Sequence, residues 1–324
     1  MKILVRLPNW LGDMVMSVGL IQQLHFFFPD AEVSVVAKKG IHELLSFFPP
    51  LQHQFIFSKE EHNGVRGAAA FGKQIRQTEK FDLFICLPNS FSTALVGYFS
   101  GAEKRIGYKN ELRQVLLTDS FPRPEGIHRA DEYIRLLELY TNQQARPQGI
   151  FLQHSFQKQN YVVVNINSEA SSRRLTVPKA VELLNALRNH IETKIVLIGA
   201  PKEKEFVATV LSLLSNPANF ENLAGKTSLI QLVEILASAQ LMLTTDSGPA
   251  HLANALGIHT IVLFGAGNEN NTAPYNKNLR SVIRLGELTC EPCEKNVCVL
   301  YKTPQCLERL NSNLISKTAQ FYLD

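Results

Sequence analysis

Short unbroken apolar runs alternate with longer stretches of helical period along this chain. Ile3-Leu4-Val5 opens the pattern, and residues 14–28 follow with helical spacing until Pro29 ends them. Glu32-Val33-Ser34-Val35-Val36 is the next strand, so strand, loop, helix and strand fit within about 35 residues, the size of a βαβ unit. Further strands are expected at 55–57, 82–86 and 105–107. A polar stretch at 143–159 has no clear period and carries Pro147 and Gly149, which reads as a linker. The pattern then restarts. Tyr161-Val162-Val163-Val164-Asn165 is a strand, 177–190 an amphipathic helix with Val181, Leu184 and Leu187 on one face, and 194–199 a strand. Helix at 229–239, strand at 241–244, helix at 249–256 and strand at 260–264 follow, with a last helix expected over 306–323. Such alternation predicts α/β architecture with parallel strands buried on both faces.

The turn Thr244-Thr245-Asp246-Ser247-Gly248-Pro249-Ala250-His251-Leu252 carries the strongest local signal. Gly248 suits a tight turn and Pro249 the first turn of a helix. Asp246 or Ser247 is placed to cap that helix, whose free N–H groups then form an anion site, with His251 one turn further on. A phosphorylated ligand is the expected guest. In the first half, Gly12-Asp13 follows the first strand. Gly12 permits close approach of backbone or ligand, and Asp13 is either a general base or a helix cap. Ser168-Glu169-Ala170-Ser171-Ser172-Arg173-Arg174 is either an anion-binding loop or a solvated one. Gly225-Lys226-Thr227-Ser228-Leu229 lacks the upstream glycine of a P-loop, so Thr227 or Ser228 reads as a cap. Ligands of such sheets bind beyond the C-terminal strand ends, so facing halves would bring Asp13 and Asp246 across one cleft.

Composition narrows the class. The 324 residues favour two domains, and 45% hydrophobic with 19% charged residues is the balance of a globular protein. Lysine plus arginine number 17 against 15 acids through residue 155, and 16 against 14 beyond it, so neither half is a nucleic-acid-binding domain by charge. Lys104, Arg105, Lys109 and Arg113 form a local cluster, opposed only by Glu111, that is either a solvated face or a dock for an anionic acceptor or membrane. No apolar run reaches the roughly 18 residues of a membrane span. Arg6, Pro8 and Asn9 interrupt any signal-peptide core, so a cytoplasmic location is expected. Four of the five cysteines, Cys290, Cys293, Cys298 and Cys306, lie close together. Zinc, a redox pair and reduced buried thiols all remain open for them, while Cys86 reads as core.

With these residues in hand the chain resembles glycosyltransferase family 9, the heptosyltransferases of lipopolysaccharide core synthesis, and their heptosyltransferase II branch most. The resemblance rests on the first strand through Trp10-Leu11-Gly12-Asp13-Met14, on Leu87-Pro88-Asn89-Ser90-Phe91-Ser92-Thr93-Ala94-Leu95, on Lys104-Arg105-Ile106-Gly107-Tyr108, on Asp246 to Leu252 and on the cysteine cluster. It implies a GT-B fold of two Rossmann-like domains facing a central cleft, at 1–155 for the acceptor and 156–305 for the nucleotide sugar. A terminal segment, 306–324, would cross back to the first domain. It further implies ADP-L-glycero-D-manno-heptose as donor, inversion at the anomeric carbon, an inner-core glycolipid acceptor with peripheral membrane contact, and no required cofactor. Asp13 would be the base, with Asn9, Trp10, Lys104 and Arg105 near the acceptor. Ser168, Arg173, Arg174, Asp246, Ser247, Gly248 and His251 would hold the diphosphate, and Glu221 with Lys226 the nucleoside. The family's Trp-Pro after the basic residue is absent from Arg173-Arg174-Leu175-Thr176-Val177-Pro178, which leaves both arginines as candidates. A relative using another sugar nucleotide or acceptor, or a non-catalytic nucleotide-sugar-binding protein, is the alternative.

Overall fold

The computed structural model describes residues 1–146 and 148–323; Pro147, within the expected linker, and Asp324, at the end of the terminal segment, lie outside the described residues. The chain divides into two compact units, Met1–Gln153 and the remainder from His154 onward. The break falls two residues before the expected one because the supposed linker is tied to both sides. The Gln23 carboxamide exchanges hydrogen bonds with the Arg146 backbone at 2.7 and 3.1 Å, and Gln153 N–H donates to Phe47 at 2.8 Å. In the second unit, the Gln159 N–H and Lys158 Nζ donate to Ser238 and Ala239, each at 2.8 Å.

The first unit is a parallel sheet of β1 (Lys2–Arg6), β2 (Glu32–Lys38), β3 (Gln54–Phe57), β4 (Leu83–Cys86), β5 (Lys104–Tyr108) and β6 (Asp119–Phe121) in the order β3-β2-β1-β4-β5-β6. Its central strands are almost wholly buried, as the uninterrupted apolar runs require. The expected long helix after β1 is two, Leu11–Met16 and Val18–Phe27. They part at Ser17, whose hydroxyl donates to Met14 O at 2.7 Å and takes up a carbonyl of the preceding turn.

The second unit repeats the plan with β7 (Tyr161–Asn165), β8 (Lys194–Leu197), β9 (Phe220–Asn222), β10 (Leu241–Thr245), β11 (His259–Phe264) and β12 (Arg280–Arg284) in the order β12-β11-β10-β7-β8-β9. The terminal segment forms the helices Gln305–Glu308 and Ser312–Phe321, and the latter packs on Val177–His190 of the second unit. Ile315 and Ala319 share a core with Leu183 and Leu187, and buried Lys179 donates to Leu310 O at 2.5 Å. That apolar face and that buried ammonium anchor the segment within the second unit.

Three arginines are withdrawn from water where strands end. Arg6 donates to Leu7 O and Val36 O at 2.5 and 3.2 Å, and Arg113 to Pro88 O and Cys86 O at 2.5 and 3.4 Å. Arg284 donates to Gly265 O at 2.7 Å and also to Gly267 O. Burial lowers the Arg6 pKa to about 10.

Packing against β4 leaves no room for a methyl group on the helix Phe91–Ser100. A Cβ at Gly97 would stand 2.3 Å from Phe84 ring carbons. Gly97→Ala is therefore expected to cost about 1–3 kcal/mol by overpacking. Thermal unfolding should show a midpoint lowered by roughly 2–4 °C for each kcal/mol, and an unchanged midpoint would contradict this packing.

Candidate active site

In the first unit the Arg6 clamp fixes the loop that leads from β1 to Asp13. Its Nη2 also donates to Asn9 Oδ1 at 2.7 Å, holding the asparagine at the strand end. Trp10 is the N-cap residue of Leu11–Met16, so Gly12 and Asp13 lie in the first helical turn and Asp13 is not the cap. The Tyr133 hydroxyl donates to Asp13 Oδ1 at 3.1 Å, and Arg129 Nε stands 3.8 Å from the same oxygen. Arg129 also donates to buried Glu132 at 2.7 Å, and Arg123 grips that carboxylate with two hydrogen bonds at 2.8 and 3.1 Å. Burial raises the Asp13 pKa, and the opposing pulls of Arg129 and the Tyr133 hydrogen bond hold the rise in check. The Asp13 side chain keeps 30% of its surface exposed, so a reactant can reach it.

Lys104 and Arg105 do not sit beside Asp13. Lys104 and Arg105 open β5, at the strand-start edge of a parallel sheet, whereas Asp13 lies past the strand ends. Arg105 is occupied there, donating to Leu116 O and Ala102 O at 2.9 and 2.7 Å with its guanidinium over the Tyr98 ring. Arg113 is buried in its carbonyl clamp. Trp10 does sit by the site, 62% exposed, with Lys38 Nζ 6.0 Å from the ring centre.

In the second unit the end of β10 delivers Asp246 and Ser247, and the helix Gly248–Ala255 begins immediately after. Ser247 is the N-cap residue but makes no side-chain cap bond; Gly248 enters the helix with no positive φ, so the turn does not need its freedom. The Ser247 hydroxyl accepts from Asn165 at 3.0 Å and donates to Thr245 O at 3.1 Å. Thr245 Oγ1 reaches Asn167 O at 2.6 Å, and Ser168 Oγ donates to Asp246 O at 3.3 Å, so the ends of β7 and β10 are sewn together. Arg173 Nη1 lies 3.3 Å from Asp246 Oδ2, while Arg174 turns to the Phe206 ring at 5.3 Å. Asp246 is 5% exposed, and burial raises its pKa against the pull of Arg173 and Arg284. His251 is buried in the same helix. The arrangement offers a helix start and a cation where an anion would dock.

Glu221 does not join this group. Its carboxylate pairs with Lys194 Nζ at 2.6 Å, and Lys194 is the first residue of β8, at the far end of the strand. Lys226 lies past the end of β9 and donates to Asn222 O at 2.7 Å; Ser228 is the cap of the next helix. The cysteine segment is joined by its backbone to the Arg173 turn, since Ser172 Oγ and N–H donate to Lys295 O and Asn296 O at 2.5 and 3.2 Å. All five cysteines are free thiols; burial and nearby Glu291 push Cys306 up to about 11. Among the described residues no group of three or more His, Cys, Asp or Glu side chains is arranged to hold a metal ion.

Sequence reasoning missed Tyr133, Arg129, Glu132 and Arg123 around Asp13, and Arg284 and Glu269 near Asp246. The one available signal was the charged and aromatic run Arg129-Ala130-Asp131-Glu132-Tyr133 at a helix start.

Residues 68–303 match the family described as Glycosyltransferase family 9 (heptosyltransferase). The chain belongs to glycosyltransferase family 9. It is 30% identical over 316 residues to lipopolysaccharide heptosyltransferase 2 of Escherichia coli, covering 88% of each chain. It is 29% identical over 319 residues to lipooligosaccharide heptosyltransferase 2 of Haemophilus ducreyi, covering 88% of this chain and 89% of that one. Its structure is similar to that of the E. coli ADP-heptose lipopolysaccharide heptosyltransferase II, with a TM-score of 0.83 at 26% identity over 100% of this chain and 98% of that one. A family 9 glycosyltransferase of Veillonella parvula shares the fold, with a TM-score of 0.86 at 20% identity over 99% and 97% of the two chains. The two α/β units are thus those of the GT-B class.

Two substitutions test the geometry of this family 9 member. Tyr133→Phe removes a hydrogen bond that favours the Asp13 carboxylate, so the Asp13 pKa rises further. The acid limb of the transfer-rate profile should move to higher pH, and a limb that stays put would show that Asp13 does not govern it. A Cβ on Gly267 would fall 2.1 Å from Asp246 Oδ2. Gly267→Ala should therefore push the Asp246 carboxylate aside and lower the thermal unfolding midpoint by roughly 2–4 °C for each kcal/mol lost; an unchanged midpoint would contradict this close approach.

Proposed function

We propose that this chain transfers heptose from ADP-L-glycero-D-manno-heptose to the inner core of lipopolysaccharide, with inversion at the anomeric carbon. One observation carries the catalytic part of the reading: Asp13 is a partly exposed carboxylate whose pKa burial raises, held at one oxygen by Tyr133. A carboxylate of raised pKa is a stronger base than an ordinary one. It takes the proton from the acceptor hydroxyl as that oxygen bonds to the anomeric carbon. The bond from that carbon to the diphosphate oxygen breaks with its electron pair, and ADP departs.

The charge that grows on the leaving diphosphate needs preorganised partners. The helix start at Ser247 and Gly248 and the Arg173 guanidinium are the groups that answer it, with Arg173 exchanging its contact with Asp246 for the incoming anion. Asn9 and Trp10 border the base and are proposed to meet the acceptor sugar. The reaction belongs at the cytoplasmic face of the inner membrane, where a lipid-anchored acceptor is met from the cytoplasm.

A different nucleoside is the second reading, because Glu221 is committed to Lys194. A thermal-shift panel of ADP-, UDP- and GDP-sugars separates the two, since a tight ligand raises stability by mass action. The central experiment is ADP release from ADP-heptose with and without a truncated inner-core acceptor. Release should depend on acceptor, and Asp13→Asn should lower it by about 10²–10⁴-fold while ADP affinity is kept. Near-normal turnover in Asp13→Asn would refute the base assignment.

A further inference from the structure

We propose that the loop 297–301 docks this chain on an anionic lipid surface. Val297, Val299, Leu300 and Tyr301 are 60%, 77%, 69% and 46% exposed, four large apolar side chains within five residues. The loop has no helix or strand of its own, and exposed Lys295 and Lys302 flank it. An exposed apolar run of this kind marks an interaction site, because water gives it no stabilisation.

The loop's composition and attachment select the partner. Its near foot is fixed by the Glu294 N–H donating to Ala266 O at 2.8 Å and by the Ser172 hydrogen bonds to Lys295 and Asn296. Its far foot is fixed where Cys306 and Leu307 pack beneath Gly265. Between the feet the apolar side chains are exposed to water. A bilayer interface accepts such side chains without shape complementarity. Tyrosine favours the headgroup level, and lysines beside them meet anionic headgroups while their stems lie along the apolar boundary. The inference deepens the proposed function and rests on it for its setting, since a glycolipid acceptor lies in such a surface.

The test is co-sedimentation of the full chain with vesicles of phosphatidylethanolamine and phosphatidylglycerol, against phosphatidylcholine alone, in the absence of donor and acceptor. The wild type should bind the anionic vesicles. Val299→Asp/Leu300→Asp should bind at least about tenfold more weakly, with unchanged thermal unfolding. Lys295→Glu/Lys302→Glu should lose about fivefold or more for each charge reversed and serves as the second variant if the first folds poorly. No binding by the wild type, equal binding by both variants, or equal binding to phosphatidylcholine would overturn the proposal. So would a self-association of the wild type, read by sedimentation velocity, that the aspartates disperse. ADP release with a water-soluble truncated acceptor, unchanged in Val299→Asp/Leu300→Asp, reads heptosyl transfer separately from docking.

Discussion

Burying a guanidinium is costly unless it finds acceptors, and this chain supplies them at the ends of its strands. Arg6, Arg113 and Arg284 each donate to carbonyls just past β1, β4 and β11, and Arg284 also pairs with Glu269 and Glu291. The need is mutual. Those carbonyls leave the ladder where a loop begins, and a buried carbonyl without a donor is itself destabilising. The arginine satisfies the loop, and the loop satisfies the arginine. In a parallel sheet covered on both faces, the strand ends are where a ligand can be met. The clamps tie those loops to the strand ends, Arg6 for the Asp13 loop and Arg284 for the Gly265–Gly267 stretch beside Asp246.

The same economy separates the two aspartates. Burial raises the pKa of each, yet their neighbours differ. Asp13 has a neutral hydroxyl donor at 3.1 Å and a shared arginine at 3.8 Å, so its charge is supported but not spent. Asp246 is deeper and faces Arg173 directly at 3.3 Å. A carboxylate that must gain a proton during reaction suits the first setting. A carboxylate that keeps a cation aimed at a turn suits the second.

The alternation of apolar runs made both sheets legible, because a strand buried on both faces must be apolar throughout. β6, β9 and β12 escaped that reading: all three are edge strands, β6 and β9 with three residues each and β12 half-buried with an arginine at either end, so none shows a buried apolar run. Asp13 and the Asp246 turn were legible because each is local, a few residues between strand and helix. Tyr133 was not, since it reaches Asp13 from 120 residues away and only packing brings it there. The basic cluster misled for the same reason. Neighbours in sequence along β5 are spread over the length of a strand, and an arginine's charge says nothing of whether water or a carbonyl receives it. Arg105 and Arg113 look like docking cations in the sequence and prove to be struts in the fold.

The cysteine segment illustrates the converse. Its spacing drew attention to sulfur chemistry, but its firmest structural links are backbone ones. The carbonyls of Lys295 and Asn296 receive Ser172, and the Glu294 N–H meets Ala266. Those bonds run to the loop that carries Arg173 and to the loop that carries Gly267, the two stretches that flank Asp246. A segment so attached restrains the cation and the carboxylate together, and displacing it would slacken both. The cysteine-rich stretch thus acts on the Asp246 turn through its main chain, whatever its thiols do.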